Sequence, residues 1–280
     1  MEKQIARRSV LSSLGLYSGG VLMAGCARTL GDSSGSAATS GESGSSGPDL
    51  PKAAQPAWKY MALDPDELAD RAYAMYPNGS CMYSMVGSVM TALAEKVGEP
   101  FASFPFGMMR YGHGGVGGWG SICGVVNGAA AVIALFYQDD EEVRNRLIGR
   151  FARWYEATPL PTYQPKTSPS PMELPASSAN SVLCHVSVSR WCEVSGCPAF
   201  SKEKSERCRR LTADGARMLA IVLNEAEART ELAGSDISSV AKDCNACHGK
   251  TQLADAMVKM DCRTCHTLPD SHPSETIGSR

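Results

Sequence analysis

The sequence predicts a mainly α fold, on three observations. Apolar residues recur three and four apart through several long stretches, as on the buried face of a helix. The clearest of these stretches opens on helix-capping residues. The segments between them hold too much Pro and Gly for the interior of a helix or strand. At 280 residues the chain is long enough for one large or two modest domains with a real core. Its formal charge is −2 at pH 7, and no basic run points to nucleic acid.

Residues 1–25 read as an export signal. Ala6-Arg7-Arg8-Ser9-Val10-Leu11 carries a twin arginine, and an apolar, glycine-containing stretch follows that is too short and weak to span a membrane. Leu22-Met23-Ala24-Gly25-Cys26 resembles a lipobox, so Cys26 is a candidate lipid anchor. Residues 26–57 are dominated by Ser, Gly, Ala and Pro. Their apolar content is too low to offset the entropy of ordering, which predicts a flexible linker.

A helical domain is expected over 58–235. Asp64-Pro65-Asp66-Glu67 supplies a cap, a first-turn Pro and a Glu three residues after the cap, for a helix ending before Pro77-Asn78-Gly79. A second helix is predicted over 80–97. Met82, Met85, Val86, Val89, Met90 and Leu93 form its apolar face, with the methionines as core filler. Cys81 sits near its start, where the helix dipole favours a thiolate. The stretch from Tyr111 to Gly120 holds so many glycines that it must be a loop able to press closely on something flat or bulky. A buried helix is predicted over 122–137 and an amphipathic one over 139–155. Six prolines in 158–180 make that stretch an extended surface connection. Residues 183–192 are expected to be at least partly helical, and 201–229 form the longest helical pattern.

The segment 236–268 carries the most specific signal. Cys244-Asn245-Ala246-Cys247-His248 and Cys262-Arg263-Thr264-Cys265-His266 both read C-x-x-C-H, the pattern of covalent c-type haem attachment. Two thiols one short turn apart can add to the two vinyl groups of one porphyrin edge. The next residue, His248 or His266, then reaches the iron from the proximal side. A four-cysteine zinc site is the competing reading, but zinc does not require a histidine after each pair. Only residues 249–261 lie between the motifs, so two haems held here are expected to lie close together. Residues 269–280 read as a tail.

Cys81, Cys123, Cys184 and Cys208 fall on four separate elements. Soft thiolates converging from several helices suit an iron–sulfur cluster; two disulfides fit the same spacing. The order of Cys81, then Cys123 followed by Gly, then Cys184 and Cys208 resembles the C_GCAxxG_C_C family of redox proteins. The stretch from His113 to Gly120, Leu183-Cys184-His185-Val186-Ser187-Val188-Ser189-Arg190-Trp191-Cys192 and the paired haem motifs are similar, more narrowly, to the split-Soret cytochromes c, over roughly residues 60–268. The resemblance implies a homodimer with two stacked, bis-histidine haems c and one [2Fe-2S] cluster per subunit. It favours the cluster over disulfides, with Cys81, Cys123, Cys184 and Cys208 as ligands and Cys192 as a substitute for one of them. Cys197 matches no family position.

Bis-histidine irons need distal ligands, and only His113, His185 and His272 remain. His272 stands in a Ser/Pro tail with little to hold it. His113 lies among glycines, and His185 directly follows a candidate cluster ligand, so these two are the candidates. Six-coordinate haems have no open site. The sequence therefore points to an exported electron carrier, with Cys26 as its candidate lipid anchor, serving redox partner proteins in the periplasm or on the outer membrane face, rather than to an enzyme. A reductase of a small oxidised molecule and a redox-sensing lipoprotein are the alternatives.

Overall fold

The computed structural model describes residues 58–166, 172–228, 237–249 and 259–267. The expected export signal, Cys26, the linker, the tail and His272 lie outside these residues.

The fold is mainly helical. Helix α1 (Pro65–Met75) starts as expected: the Asp64 carboxylate accepts from the backbone N–H groups of Asp66 and Glu67, each at 2.9 Å. Helix α2 (Ser80–Val97) buries every residue from Cys81 to Met90, with Leu93 below them. Met85 and Met90 are fully enclosed and serve as filler. Two 3-10 turns, Phe101–Ser103 and Phe106–Tyr111, lead into the glycine loop.

Helix α3 (Gly124–Phe136) is two residues shorter at its start than the apolar run suggests. Ile122 instead pairs antiparallel with Leu183. Helix α4 (Glu141–Ala157) is capped by Asp140, which accepts from Val143 N–H. A short antiparallel pair follows, β1 (Pro159–Leu160) with β2 (Ser177–Ser178). The proline-rich connection is therefore not purely superficial. Leu160 and Tyr163 are buried, and Thr162 gives both its N–H and its hydroxyl to the Asp214 carboxylate, at 2.8 and 2.7 Å. Proline forbids helix here but leaves alternate side chains free to anchor in the core.

Helix α5 (Cys184–Ser195) ends at Gly196 in the left-handed conformation. Helix α6 (Lys202–Glu227) is capped by Ser201 and packs against α1, α2, α3 and α4. Near its far end the Asn224 amide ties down the chain before α1: it accepts from the Tyr60 hydroxyl and the Leu63 N–H and donates to Leu63 C=O. Helix α7 (Ser239–His248) is capped by Ser238 and ends on the first C-x-x-C-H motif. The second motif forms a 3-10 turn, Cys262–Thr264.

Candidate metal centre

Four of the predicted cysteines come together. Cys81 lies in the first turn of α2, Cys123 caps α3, Cys184 opens α5 and Cys208 lies on α6. The Ile122–Leu183 bridge sets the middle pair: Cys123 N–H donates to Val182 C=O at 2.8 Å and Cys184 N–H to Ser121 C=O at 2.7 Å. Side chains alternate along extended backbone, so Cys123 and Cys184 share the face opposite Ile122 and Leu183.

The thiols act on one another strongly. Hydrogen bonds from the Cys184 and Cys81 thiols hold Cys123 well below the ordinary thiol range, against its burial. Cys81 is pushed well above that range, first by its bond to Cys123 and then by burial. Cys184 rises for the same two reasons. Among these thiols the arrangement favours the charged form at Cys123 over Cys81, although both sit at helix N-termini. A proton shared into a neighbouring thiolate outweighs a partial charge at a helix end. Cys208 acts electrostatically on both Cys81 and Cys184.

Sequence reasoning missed the shell around these thiols. Arg207 is 2% exposed; it donates to Ser187 Oγ at 2.8 Å and lies 3.9 Å from Cys208 Sγ, and its Nε has no partner. Burial works against its charge, but Cys208, Tyr155 and Cys123 favour it and raise its pKa. Tyr155 is buried against Cys123 and donates to Ser187 Oγ at 3.0 Å. Tyr76 Oη lies 3.9 Å from Cys81 Sγ. The only sequence hint was an arginine directly before Cys208. Among the described residues no group of three or more His, Cys, Asp or Glu side chains stands close enough together to hold a single metal ion as the chain is placed. The donor set is soft and sulfur-only, with a buried guanidinium beside it. That combination fits an anionic, thiolate-bound iron group.

Cys192 stands further out. Its thiol faces Arg207, Cys197, Lys204 and Cys208, and burial pushes it up.

The two C-x-x-C-H motifs lie together: Cys262 interacts with the Cys244 thiol, and burial followed by that neighbour raises its pKa. Cys247, His248, Cys265 and His266 are exposed. The Cys265 and His266 N–H groups both bond to Cys262 C=O, and Thr264 Oγ1 donates to Asn180 C=O at 2.7 Å, tying this segment to the core.

His113 and His185 share one arrangement. His113 Nδ1 lies 3.0 Å from Arg110 C=O, and His185 Nδ1 lies 2.8 Å from Gly120 C=O. A carbonyl can only accept, so each Nδ1 carries a proton, and Nε2 is the ring atom available to a metal. Both side chains are exposed. The loop between them is shaped by glycines at positive φ, including Gly115 at +86° and Gly120 at +70°. A Cβ at Gly115 would come 2.5 Å from Ser121 N. In the same loop Trp119 is 88% exposed.

Behind the thiols lies a largely apolar cavity of about 630 Å³. Ile122 and Leu183 line it from the bridge, Ile148 and Ala152 from α4, and Met260 from just before the second C-x-x-C-H motif. Ser181 Oγ lies 3.1 Å from Met260 Sδ.

Comparison with known proteins matches residues 83–222 to the family of redox-active proteins named C_GCAxxG_C_C. The match begins just after Cys81 and ends before the two C-x-x-C-H motifs. The split-Soret cytochrome c of Desulfovibrio desulfuricans is 38% identical over 224 residues, covering 75% of this chain and 77% of that protein. A solved structure, described as a novel iron centre in the split-Soret cytochrome c of that organism, superposes with a TM-score of 0.70 at 35% identity. It covers 80% of this chain and 95% of that one.

Proposed function

The chain belongs to the split-Soret cytochromes c, within the C_GCAxxG_C_C redox-active family, and on that premise we propose an electron-transfer protein with two covalent haems and one iron–sulfur centre. Cys244 and Cys247 carry one haem and Cys262 and Cys265 the other, with His248 and His266 as proximal ligands. His113 and His185 are the distal ligands. The observation that carries this reading is the pair of exposed histidines whose Nδ1 atoms are both tied to backbone carbonyls. That tie places the proton on Nδ1 and orients the ring so that Nε2 can face a metal, as is usual for a metal-bound histidine. With both axial positions filled, a haem exchanges electrons and binds no substrate.

Cys81, Cys123, Cys184 and Cys208 hold the second centre, with Cys192 as the substitute ligand. The relative's centre is named only as novel; a [2Fe-2S] cluster is our assignment for this chain, supported by four thiols from separate elements. Arg207 offsets the charge of the thiolates, and its unpartnered Nε–H is a donor for a sulfur acceptor. His185 directly follows Cys184, so a haem bound at His185 lies next to the second centre, which gives electrons a short route between them.

The protein works outside the cytoplasm, exported by the signal in residues 1–25 and held on the linker 26–57, with Cys26 as a lipid anchor. It acts as a homodimer, and a distal histidine can come from the partner subunit. Intact-mass measurement should find two haem adducts per chain, with iron in excess of haem and acid-labile sulfide present. Fewer than two adducts removes the haem assignment. Two adducts without sulfide removes the cluster alone.

A further inference from the structure

Phe200 stands in the turn before α6 and is 101% exposed. A lone exposed apolar side chain says little, but this one has neighbours. Tyr76, Pro77 and Met172 line with it an open pocket of about 480 Å³, and Lys202 and Arg209 reach the same pocket from α6. Tyr76 belongs to the 3-10 turn between α1 and α2 and is half-buried. It lines the pocket, and its Oη lies 3.9 Å from Cys81 Sγ. One side chain thus touches both the pocket and the thiols.

We propose that this pocket is the docking site of a small acidic electron-carrier protein, which delivers its electron beside Tyr76. This rests on the reading that Cys81, Cys123, Cys184 and Cys208 hold an iron–sulfur centre, and it adds the partner's chemistry and its place of contact. One electron leaves the reduced carrier, which is oxidised, and one iron of the centre is reduced. No bond forms or breaks, and no proton moves.

Charge selects the occupant. Over residues 202–210 there are five Lys and Arg against two Glu, a net of +3 in a chain whose total is −2. Arg207 is enclosed at the thiols. Arg210 is enclosed with Glu206, which accepts from it and from the Tyr73 hydroxyl, both at 2.8 Å. With Lys204 balancing Glu203, the charge left at the pocket is that of Lys202 and Arg209. Lys202 is exposed, and the Arg209 guanidinium is held 3.7 Å from the centre of the Tyr73 ring. A cationic rim beside an aromatic anchor attracts an acidic partner and orients it. Electron-transfer encounters bury little surface, and one exposed aromatic side chain on an open pocket fits that scale.

Stopped-flow reduction of the holoprotein by reduced plant-type ferredoxin, an acidic one-electron carrier, tests this. The bimolecular rate constant should fall as salt rises. Lys202→Glu and Phe200→Asp should each lower it about tenfold at low salt, and Lys202→Glu should flatten its salt dependence. Both positions are exposed, and a Glu in the first turn of α6 suits the helix dipole, so both variants should fold. Dithionite should reduce them at the wild-type rate, which shows intact centres. Lys59→Glu should leave the ferredoxin rate unchanged, because Lys59 precedes Tyr60, which is bonded to Asn224 near the other end of α6. Failure of ferredoxin to reduce the protein overturns the proposal. So does a rate indifferent to salt, or one lowered as much by Lys59→Glu as by Lys202→Glu. If Phe200→Asp splits the homodimer in sedimentation, the face belongs to a second copy and the proposal falls. Iron and acid-labile sulfide are measured on the same samples. Their absence refutes the parent reading, whereas their presence with wild-type rates in both variants refutes the docking site.

Discussion

His113 and His185 lie 72 positions apart in sequence yet carry the same hydrogen bond at the same ring nitrogen. Each is expected to keep one haem low-spin. His113→Ala and His185→Ala should each convert one haem to high spin by electron paramagnetic resonance, with haem stoichiometry unchanged, while His272→Ala should not. A low-spin His113→Ala protein would overturn that ligand. That Cys81, Cys123, Cys184 and Cys208 gather was legible in the sequence through the family resemblance, since spacing alone fits two disulfides as well. Arg207, Tyr155 and Ser187 were not. Arginine and tyrosine are most often surface residues, and only the crossing of α4, α5 and α6 turns these into a hydrogen-bonded shell.

Single helices were largely legible too. The boundaries of α1 and α2 follow from the Asp64 cap, the Pro77-Asn78-Gly79 break and the methionine face. What escaped was pairing across long separations: the bridge that takes Ile122 out of α3, and the anchoring of Thr162 on Asp214, depend on residues far along the chain. The packing of α3 on α2 makes a sharp test of how these elements fix the thiols. A Cβ at Gly124 would sit 2.0 Å from Gly112 C=O and 2.9 Å from Cys81 Cβ. Backbone cannot yield as a flexible side chain can. Gly124→Ala should therefore destabilise by about 3 kcal/mol, at the upper end for overpacking. It should also lower the iron content not accounted for by haem. A variant with wild-type melting temperature and iron content would show that this contact is slack.

At the scale of the whole molecule, α6 is the common support, with Cys208, Asp214 and Asn224 each holding a different part of the chain. Peripheral charge contributes less and reports on pH. Burial tends to raise the pKa of Asp70, but hydrogen bonds from Lys166 and Tyr163 outweigh it and the net shift is downward. A carboxyl depressed on folding adds stability above its unfolded pKa and loses it as pH falls through the folded one. Asp70→Asn should therefore cost up to about 1 kcal/mol at neutral pH and converge on wild type in strong acid, read from urea midpoints at each pH. A constant difference at all pH values would assign the effect to packing. The placing of the thiols also separates two time scales. Cys81, Cys123 and Cys208 are enclosed, while Cys247 and Cys265 face solvent. Iron held by the enclosed thiols can escape only when the helices around them part. Its residence time is then a clock for unfolding. With excess chelator, iron release should follow the unfolding rate across urea concentrations; release that is fast and indifferent to urea would mean that the centre opens on its own.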